Sequence, residues 1–240
     1  MRRSLVWAAP IAATAALYLF AGTTASAAVI IDNTTQGFYN AGLGDLATDS
    51  VLGAQTDTST GDNLFPAANV SAGDPTIPPV ATEPNLAGAD ASTQANLGGF
   101  LTNPTSLGGT WSATKQAIPT TWAINSETAI VYEIDAGAGG LANLQIDVGI
   151  DNGVFIWLDG NYLLGALAPG GAFAFEYTAS VASVGSGVHH LQILREDHGG
   201  ATGYVIEVSA TSVPEPATLA LVGAGLGAVG FIGSRRRRKS

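Results

Sequence analysis

The chain has 240 residues, 46% apolar and 12% charged, with 31 glycines and no cysteine. That length allows one large domain or two small ones, and the missing cysteines exclude disulfide staples and thiolate metal sites. The net charge of −10 is unevenly spread: Arg2 and Arg3 begin the chain, Arg235, Arg236, Arg237, Arg238 and Lys239 end it, and only Lys115 and Arg195 lie between. An interior so poor in cations repels phosphate, which excludes a nucleic-acid partner and favours cations such as calcium or neutral glycans.

Residues 1–27 have the three-part form of a secretory signal peptide. Arg2 and Arg3 supply the positive start, Leu5 to Phe20 the apolar signal helix, and Ala25-Ser26-Ala27 the small-x-small cleavage pattern. Cleavage at Ala25 and Ala27 makes Ala28 the first residue of an exported mature chain.

Residues 28–212 read as one β-sandwich ectodomain in two textures. The stretch 36–125 is loop-rich, full of Gly, Thr, Asn, Ala and Pro, with Pro75, Pro78, Pro79 and Pro84 marking an irregular part. We expect long loops decorating a sandwich here rather than a second domain. Trp111 and Trp122 are expected to be buried, although exposed they would stack on sugar rings.

The stretch 126–212 is strand-rich. Ile130, Tyr132 and Ile134 alternate with Val131, Glu133 and Asp135, and Leu144, Ile146, Val148 and Ile150 alternate with Gln145, Asp147 and Gly149. A period of two marks strands with one wet face. Val154 to Leu158 is continuously apolar and reads as a central strand buried on both faces, followed by an Asp159-Gly160 turn and a return over Tyr162 to Leu167. Ala172 to Thr178, Val188 to Arg195 and Gly203 to Ala210 continue the pattern. The fold class is therefore all-β, an antiparallel, jelly-roll-like sandwich with long loops, with no helical period outside the two ends.

Three polar groups in this region carry chemistry. Asp151-Asn152-Gly153, then the apolar strand, then Asp159-Gly160, resembles the corresponding stretch of protective-antigen-type carbohydrate-binding sandwiches and of galactose-binding-like jelly rolls. In the former, an acidic pair before the strand can hold calcium that in turn binds sugar hydroxyls. The resemblance makes Asp151 and Asn152 candidate calcium or glycan residues, with Asn152 standing where the pattern has a second acid; Asp197 is the third candidate, with His198, from a separate polar stretch that also reads as a ligand or metal loop. The Asp151-Asn152-Gly153 turn also reads as an Asx-rich turn satisfying its own backbone. Arg195-Glu196-Asp197-His198-Gly199-Gly200 reads as a loop between strands, with Arg195 expected in an ion pair with Glu196, Asp197 or Asp151.

His189 and His190, adjacent in a strand, point to opposite faces and do not share one metal. No zinc spacing, nucleophile elbow or phosphate-cradling loop occurs. Asp151, Glu176 and Asp197 are the carboxylates a glycosidase would draw on, but nothing in the sequence sets their separation.

Residues 213–240 form the tail. Val213-Pro214-Glu215-Pro216 precedes an apolar run over 217–233 and then Arg235 to Lys239. A helix of about 17 residues reaches about 25 Å, just short of a bilayer's hydrocarbon core, and the cations stay on the cytoplasmic side. Pro214 and Pro216 keep the motif extended outside that transmembrane helix.

Val-Pro-Glu-Pro, a short apolar helix and an Arg-rich end together resemble the PEP-CTERM sorting signal. The resemblance implies an exosortase partner that removes the tail and passes the protein to the cell envelope or outside, in bacteria that make exopolysaccharide. The leading reading is a non-enzymatic matrix sandwich that binds polysaccharide; a purely structural matrix protein and a glycan-active hydrolase are the alternatives.

Overall fold

The computed structural model describes residues 26–46, 55–57, 61–64, 77–80, 83–167, 171–197, 200–214 and 225. The signal segment through Ala25, His198, and the tail residues Glu215, Pro216 and Arg235 to Lys239 lie outside them, as does the 217–233 run apart from Gly225. No helix among the described residues is long and apolar enough to cross a membrane.

The major strands in chain order are β1 (Ala27–Asp32), β2 (Gln36–Gly44), a short pair β3 (Gln55–Asp57) and β4 (Gly61–Asn63), and β5 (Ile77–Val80). After a helix α1 (Ala91–Leu97) come β6 (Gln116–Ala117), β7 (Glu127–Asp135), β8 (Leu141–Asp151), β9 (Gly153–Leu158) and β10 (Asn161–Leu167). The last three are β11 (Tyr177–Val184), β12 (Val188–Glu196) and β13 (Gly203–Ser212). One sheet has the order β1-β13-β8-β11 and the other β5-β10-β9-β12-β7-β2-β6. Every pairing is antiparallel. The chain crosses between the two sheets at β1–β2, β7–β8, β8–β9, β10–β11, β11–β12 and β12–β13.

Alternation decides which side chains meet. Leu144, Ile146, Val148 and Ile150 of β8 and Tyr204, Ile206 and Val208 of β13 face Ile130, Tyr132, Ile156, Leu191 and Ile193 of the larger sheet, and all are buried in one core. The opposite face of the larger sheet is dry as well. Ala129, Val131, Phe155, Trp157 and Leu194 pack under Leu43, Leu46, Leu64, Leu97, Phe100 and Trp111 from the loop-rich region. That region is therefore a lid on the sheet, and this is why all six residues of β9 are buried. Trp111 is buried and stacks on Phe100, its indole N–H donating to the Leu97 carbonyl at 2.9 Å. Trp122 is half-buried.

Two expectations are corrected. The absence of a helix outside the two ends does not hold, because α1 lies inside the lid. Asp90 caps it, with Oδ1 accepting from the Ser92 and Thr93 N–H groups at 2.8 Å, and Gly98 ends it at φ 55°. Its 7 residues are too few for a helical period to register. The strand expected over Ala172 to Thr178 begins instead at Tyr177. Phe173 and Phe175 mimic strand alternation, yet they are 66% and 56% exposed, and Phe175 sits at φ 64° in a loop.

That loop lies flush on β8. A Cβ added at Gly149 would collide with the Phe173 carbonyl oxygen, a backbone atom that cannot swing away. Gly149→Ala is expected to destabilise the domain by about 1–3 kcal/mol, the usual cost of overpacking. Chemical denaturation would measure it, and an unchanged midpoint would contradict the close approach.

The β9–β10 hairpin turns at Asp159-Gly160, both at positive φ (50° and 73°), as the sequence signal requires. Asp159 also holds the neighbouring strand: its Oδ2 lies 2.6 Å from His189 Nδ1 and its Oδ1 accepts the His190 N–H at 2.8 Å. His189 Nε2 lies 3.0 Å from the Gly185 carbonyl oxygen. Both ring nitrogens thus face acceptors, an arrangement satisfied best by the imidazolium form. Burial lowers the His189 pKa, but the bonds to Asp159 and Gly185 outweigh it and the net shift is upward.

Candidate functional site

β8 hands the chain to the other sheet through the single residue Asn152, and this corner gathers the candidate residues. Asp151 is paired with Gly203 at the start of β13. The Asp151–Asn152 peptide is cis, and the Asn152 N–H donates to the Glu196 carbonyl at 3.2 Å. Gly153 is opposite both Glu196 and Leu167. Asp197 follows directly, and its Oδ2 accepts the Asn125 N–H at 2.7 Å. Asp151, Asn152 and Asp197, separated by 46 positions or fewer in the chain, therefore share one end of the sandwich.

These three side chains are more enclosed than an open ligand loop would leave them, at 7%, 4% and 2% exposure. Among the described residues no group of three His, Cys, Asp or Glu side chains is placed to hold a metal ion. Glu176, the other carboxylate of interest, accepts the Ile150 N–H at 2.9 Å and so clamps its loop to β8. Ile124, Phe173 and Phe175 are exposed; the Phe173 backbone lies on Gly149 of β8, and Ala172 lies against Gly203, which is paired with Asp151.

Arg195 departs from the expected ion pair. It alternates with Glu196 along β12 and points into the core between the sheets, where it is fully buried. Its Nε donates to Thr128 Oγ1 at 3.0 Å, Nη1 to the Pro119 carbonyl at 2.8 Å and Nη2 to the Tyr39 hydroxyl at 3.4 Å. The guanidinium carbon lies 4.3 Å from the Trp122 ring centroid, 4.8 Å from Tyr204 and 5.5 Å from Tyr39. Its partners are neutral oxygens and aromatic faces, which a planar, weakly hydrated guanidinium suits better than an ammonium. Burial pulls its pKa down from the usual arginine value.

Glu127, which the sequence did not single out, and Glu196, expected there only as an ion-pair partner of Arg195, are both buried on the lid side of the larger sheet. Glu127 Oε2 accepts the Leu46 N–H at 2.5 Å and Glu196 Oε2 accepts the Leu64 N–H at 2.7 Å. The two carboxyls thus fasten two points of the lid. Burial raises both pKa values: Glu196 is pushed up to about 8, with Asp197 and Asp45 adding to the effect and the Leu64 bond opposing it. Glu127 is raised well above the carboxylate range by burial and then by the charge of Glu196. Their parity with Leu194 and Ala129 was visible in the sequence; that a lid covers that face was not.

Two hollows open on the lid, about 380 Å³ beside Phe38, Thr105 and Trp111 and about 360 Å³ beside Leu86, Gln94 and Phe100. Neither is lined by Asp151, Asn152 or Asp197.

At the other end of β13, Ser212 is still paired with Leu141, and the Val213 N–H donates to the Gly140 carbonyl at 3.0 Å. The exposed Pro214 follows at once.

Comparison with known proteins adds the following. Residues 212–238 match the PEP-CTERM protein-sorting motif. No curated protein matches the chain. Among solved structures, a PA14 sugar-binding domain from an RTX adhesin is similar at TM-score 0.29 and 14% identity, over 75% of this chain and 95% of that domain. A GH31 alpha-xylosidase from Xanthomonas citri is similar at TM-score 0.26 and 12% identity, over 42% of this chain and only 12% of the xylosidase. TM-scores this low leave the function to the residues themselves. What the comparisons do fix is the tail: the chain carries a PEP-CTERM sorting motif that begins where its last strand ends.

Proposed function

We propose that this is an exported envelope or extracellular-matrix protein, sorted by an exosortase through its tail, whose non-enzymatic sandwich binds polysaccharide at the Asp151–Asn152 end. The observation that carries the sorting half is the motif over 212–238. Before processing, the 217–233 helix holds the chain in the inner membrane; afterwards the protein is in the envelope or outside. β1 starts at Ala27, so signal cleavage there leaves the strand intact from Ala28.

The binding half is supported by the composition of one end of the fold. A few polar groups beside exposed aromatic faces suit a ligand that offers both hydroxyls and apolar ring edges. Asp151, Asn152 and Asp197 supply the former, and Phe173 and Phe175 the latter. Catalysis is disfavoured because Glu176 and Asp197 each hold a backbone N–H in place. A purely structural matrix role is the second reading, favoured by the low exposure of the three polar side chains.

A glycan array run with and without calcium separates these readings. We expect a saccharide to be retained by the wild type and its binding to fall about tenfold or more in Phe173→Ala and Asp151→Ala, each worth at least one ordinary contact. A rise in melting temperature on adding calcium would add the ion to the site. A blank array with no calcium effect leaves the structural reading, and turnover of a bound saccharide would replace both with a hydrolase.

A further inference from the structure

The sorting motif begins inside the fold, since its first residue, Ser212, is still in β13. Ala210 is paired with Ala28 of β1, Thr211 with Ala142 of β8, and Ser212 with Leu141. Val213 donates to Gly140, and a Cβ on Gly139 would collide with the Val213 carbonyl oxygen. The chain is therefore locked as far as Val213, and Pro214 ends the ladder because it has no N–H to contribute. One residue spans at most about 3.6 Å, so Pro-Glu-Pro starts within a residue's length of the folded body.

That end of the body has an unusual surface. It is closed by the β7–β8 turn, Ala136-Gly137-Ala138-Gly139-Gly140, and the β11–β12 turn, Gly185-Ser186-Gly187. The two turns are hydrogen-bonded to each other, Ala136 N–H to the Gly187 carbonyl at 2.8 Å and Gly187 N–H to the Gly137 carbonyl at 2.9 Å. A Cβ on Gly140 would meet the Val184 carbonyl oxygen, so the turns are also packed tightly. Neither carries a charged or bulky side chain, and the nearby Asp135 turns its Oδ1 to the Gly137 N–H at 2.9 Å. The result is a low face of small side chains, with Asp135 and the His189–Asp159 pair at its margin and the motif leaving from its edge.

We propose that this face, turns 136–140 and 185–187 with Val213, is the surface of the domain that docks against the sorting protease, and that the processing cut falls C-terminal to Pro214. A protease takes its substrate as an extended strand, so every bond upstream of Val213 is withheld unless β13 is pulled from between β1 and β8. With no spacer to carry the motif away from the body, enzyme and sandwich touch. A low face of small side chains lets them approach without steric clash.

The inference rests on the exosortase reading, and the experiment tells the two apart. The full chain is expressed in a bacterium that carries an exosortase, alongside Ala138→Trp and Ser186→Arg, two exposed turn positions. Tail removal is followed by intact mass, and folding by circular dichroism. The expected result is a mature C-terminus at or beyond Pro214, processing several-fold slower in both folded variants, and restoration of the wild-type rate by a flexible Gly/Ser spacer inserted between Val213 and Pro214. About ten such residues reach roughly 17 Å on average, enough to lift the added bulk clear. Variants processed at the wild-type rate, slow variants that the spacer does not rescue, or a C-terminus upstream of Val213 would each overturn the docking face. A wild-type chain that keeps Lys239 would instead overturn the sorting reading itself.

Discussion

Replacing Glu196 with glutamine is expected to raise stability at pH 8 and to flatten its dependence on pH. Glu196 is fully buried with Oε2 on the Leu64 N–H, and burial pushes its pKa from 4.5 up to about 8. The folded protein then holds a proton that the unfolded chain has released. The stabilisation from that proton is complete below pH 4.5, falls as pH rises, and is gone above about 8. The slope approaches about 1.4 kcal/mol per pH unit in the middle of the window, so the whole effect is on the order of a few kcal/mol. Glutamine keeps the acceptor for Leu64 and cannot ionise. Urea denaturation of both proteins between pH 5 and 8 measures the difference. Parallel pH profiles for wild type and Glu196→Gln would show that the proton is not held at this residue.

Glu127, raised in the same direction, adds to the same alkaline weakening. His189 adds a smaller part with the same sign: its raised pKa means that stability gained by the imidazolium is full below 6.5 and lost as pH climbs through the folded value. The Glu196→Gln variant should therefore retain a residual slope.

Truncating Arg195 is expected to be the most damaging single change in the sandwich. Arg195→Ala removes a fully buried side chain, leaves a cavity among Trp122, Tyr204 and Tyr39, and strips the Pro119 carbonyl of its donor. A loss of about 3–5 kcal/mol follows from the cavity and the lost bonds together, or roughly 10 °C in melting temperature for a domain of this size. Arg195→Lys should recover only part of it, since an ammonium cannot lie flat between rings while reaching both Thr128 and Pro119. Arg195→Met is the deciding variant, because it restores much of the volume without the donors. If it melted with the wild type, packing alone would account for Arg195 and the hydrogen-bonded cation would be irrelevant to stability.

How much of this was legible in the sequence depends on distance along the chain. Strands such as β8 and β13 announce themselves because each residue's neighbour on the other face is one position away, and the alternation Leu144, Ile146, Val148, Ile150 needs no tertiary knowledge. The double burial of β9 was legible too, because a strand with no polar position must be covered twice. What covers it was not, since Leu43, Leu46, Leu64 and Trp111 are scattered through loops with no period. The same gap hid the burial of Glu127 and Glu196, whose side chains look solvated until the lid is in place. Arg195 was misassigned for a related reason: acids next to it in sequence suggested an ion pair, but in a strand an immediate neighbour lies on the opposite face. Asp151, Asn152 and Asp197 meet at one end because Asp151 ends β8, Asn152 links it to β9 and Asp197 directly follows β12. Their burial depended on how Asn125 and the Phe173 loop fold over them, which short-range pattern does not encode.

β13 reaches from Gly203, beside Asp151, to Ser212, beside the sorting motif. Its 10 residues, at about 3.3 Å each, make a rigid rod of about 30 Å. If it stands along the membrane normal while the proposed tail helix sits in the bilayer, that rod is a standoff. It places the acidic end several Debye lengths, each about 8 Å at physiological salt, from the anionic headgroups. On the proposed route, the membrane's own negative potential is then too far away to oppose the approach of a ligand to that end before processing.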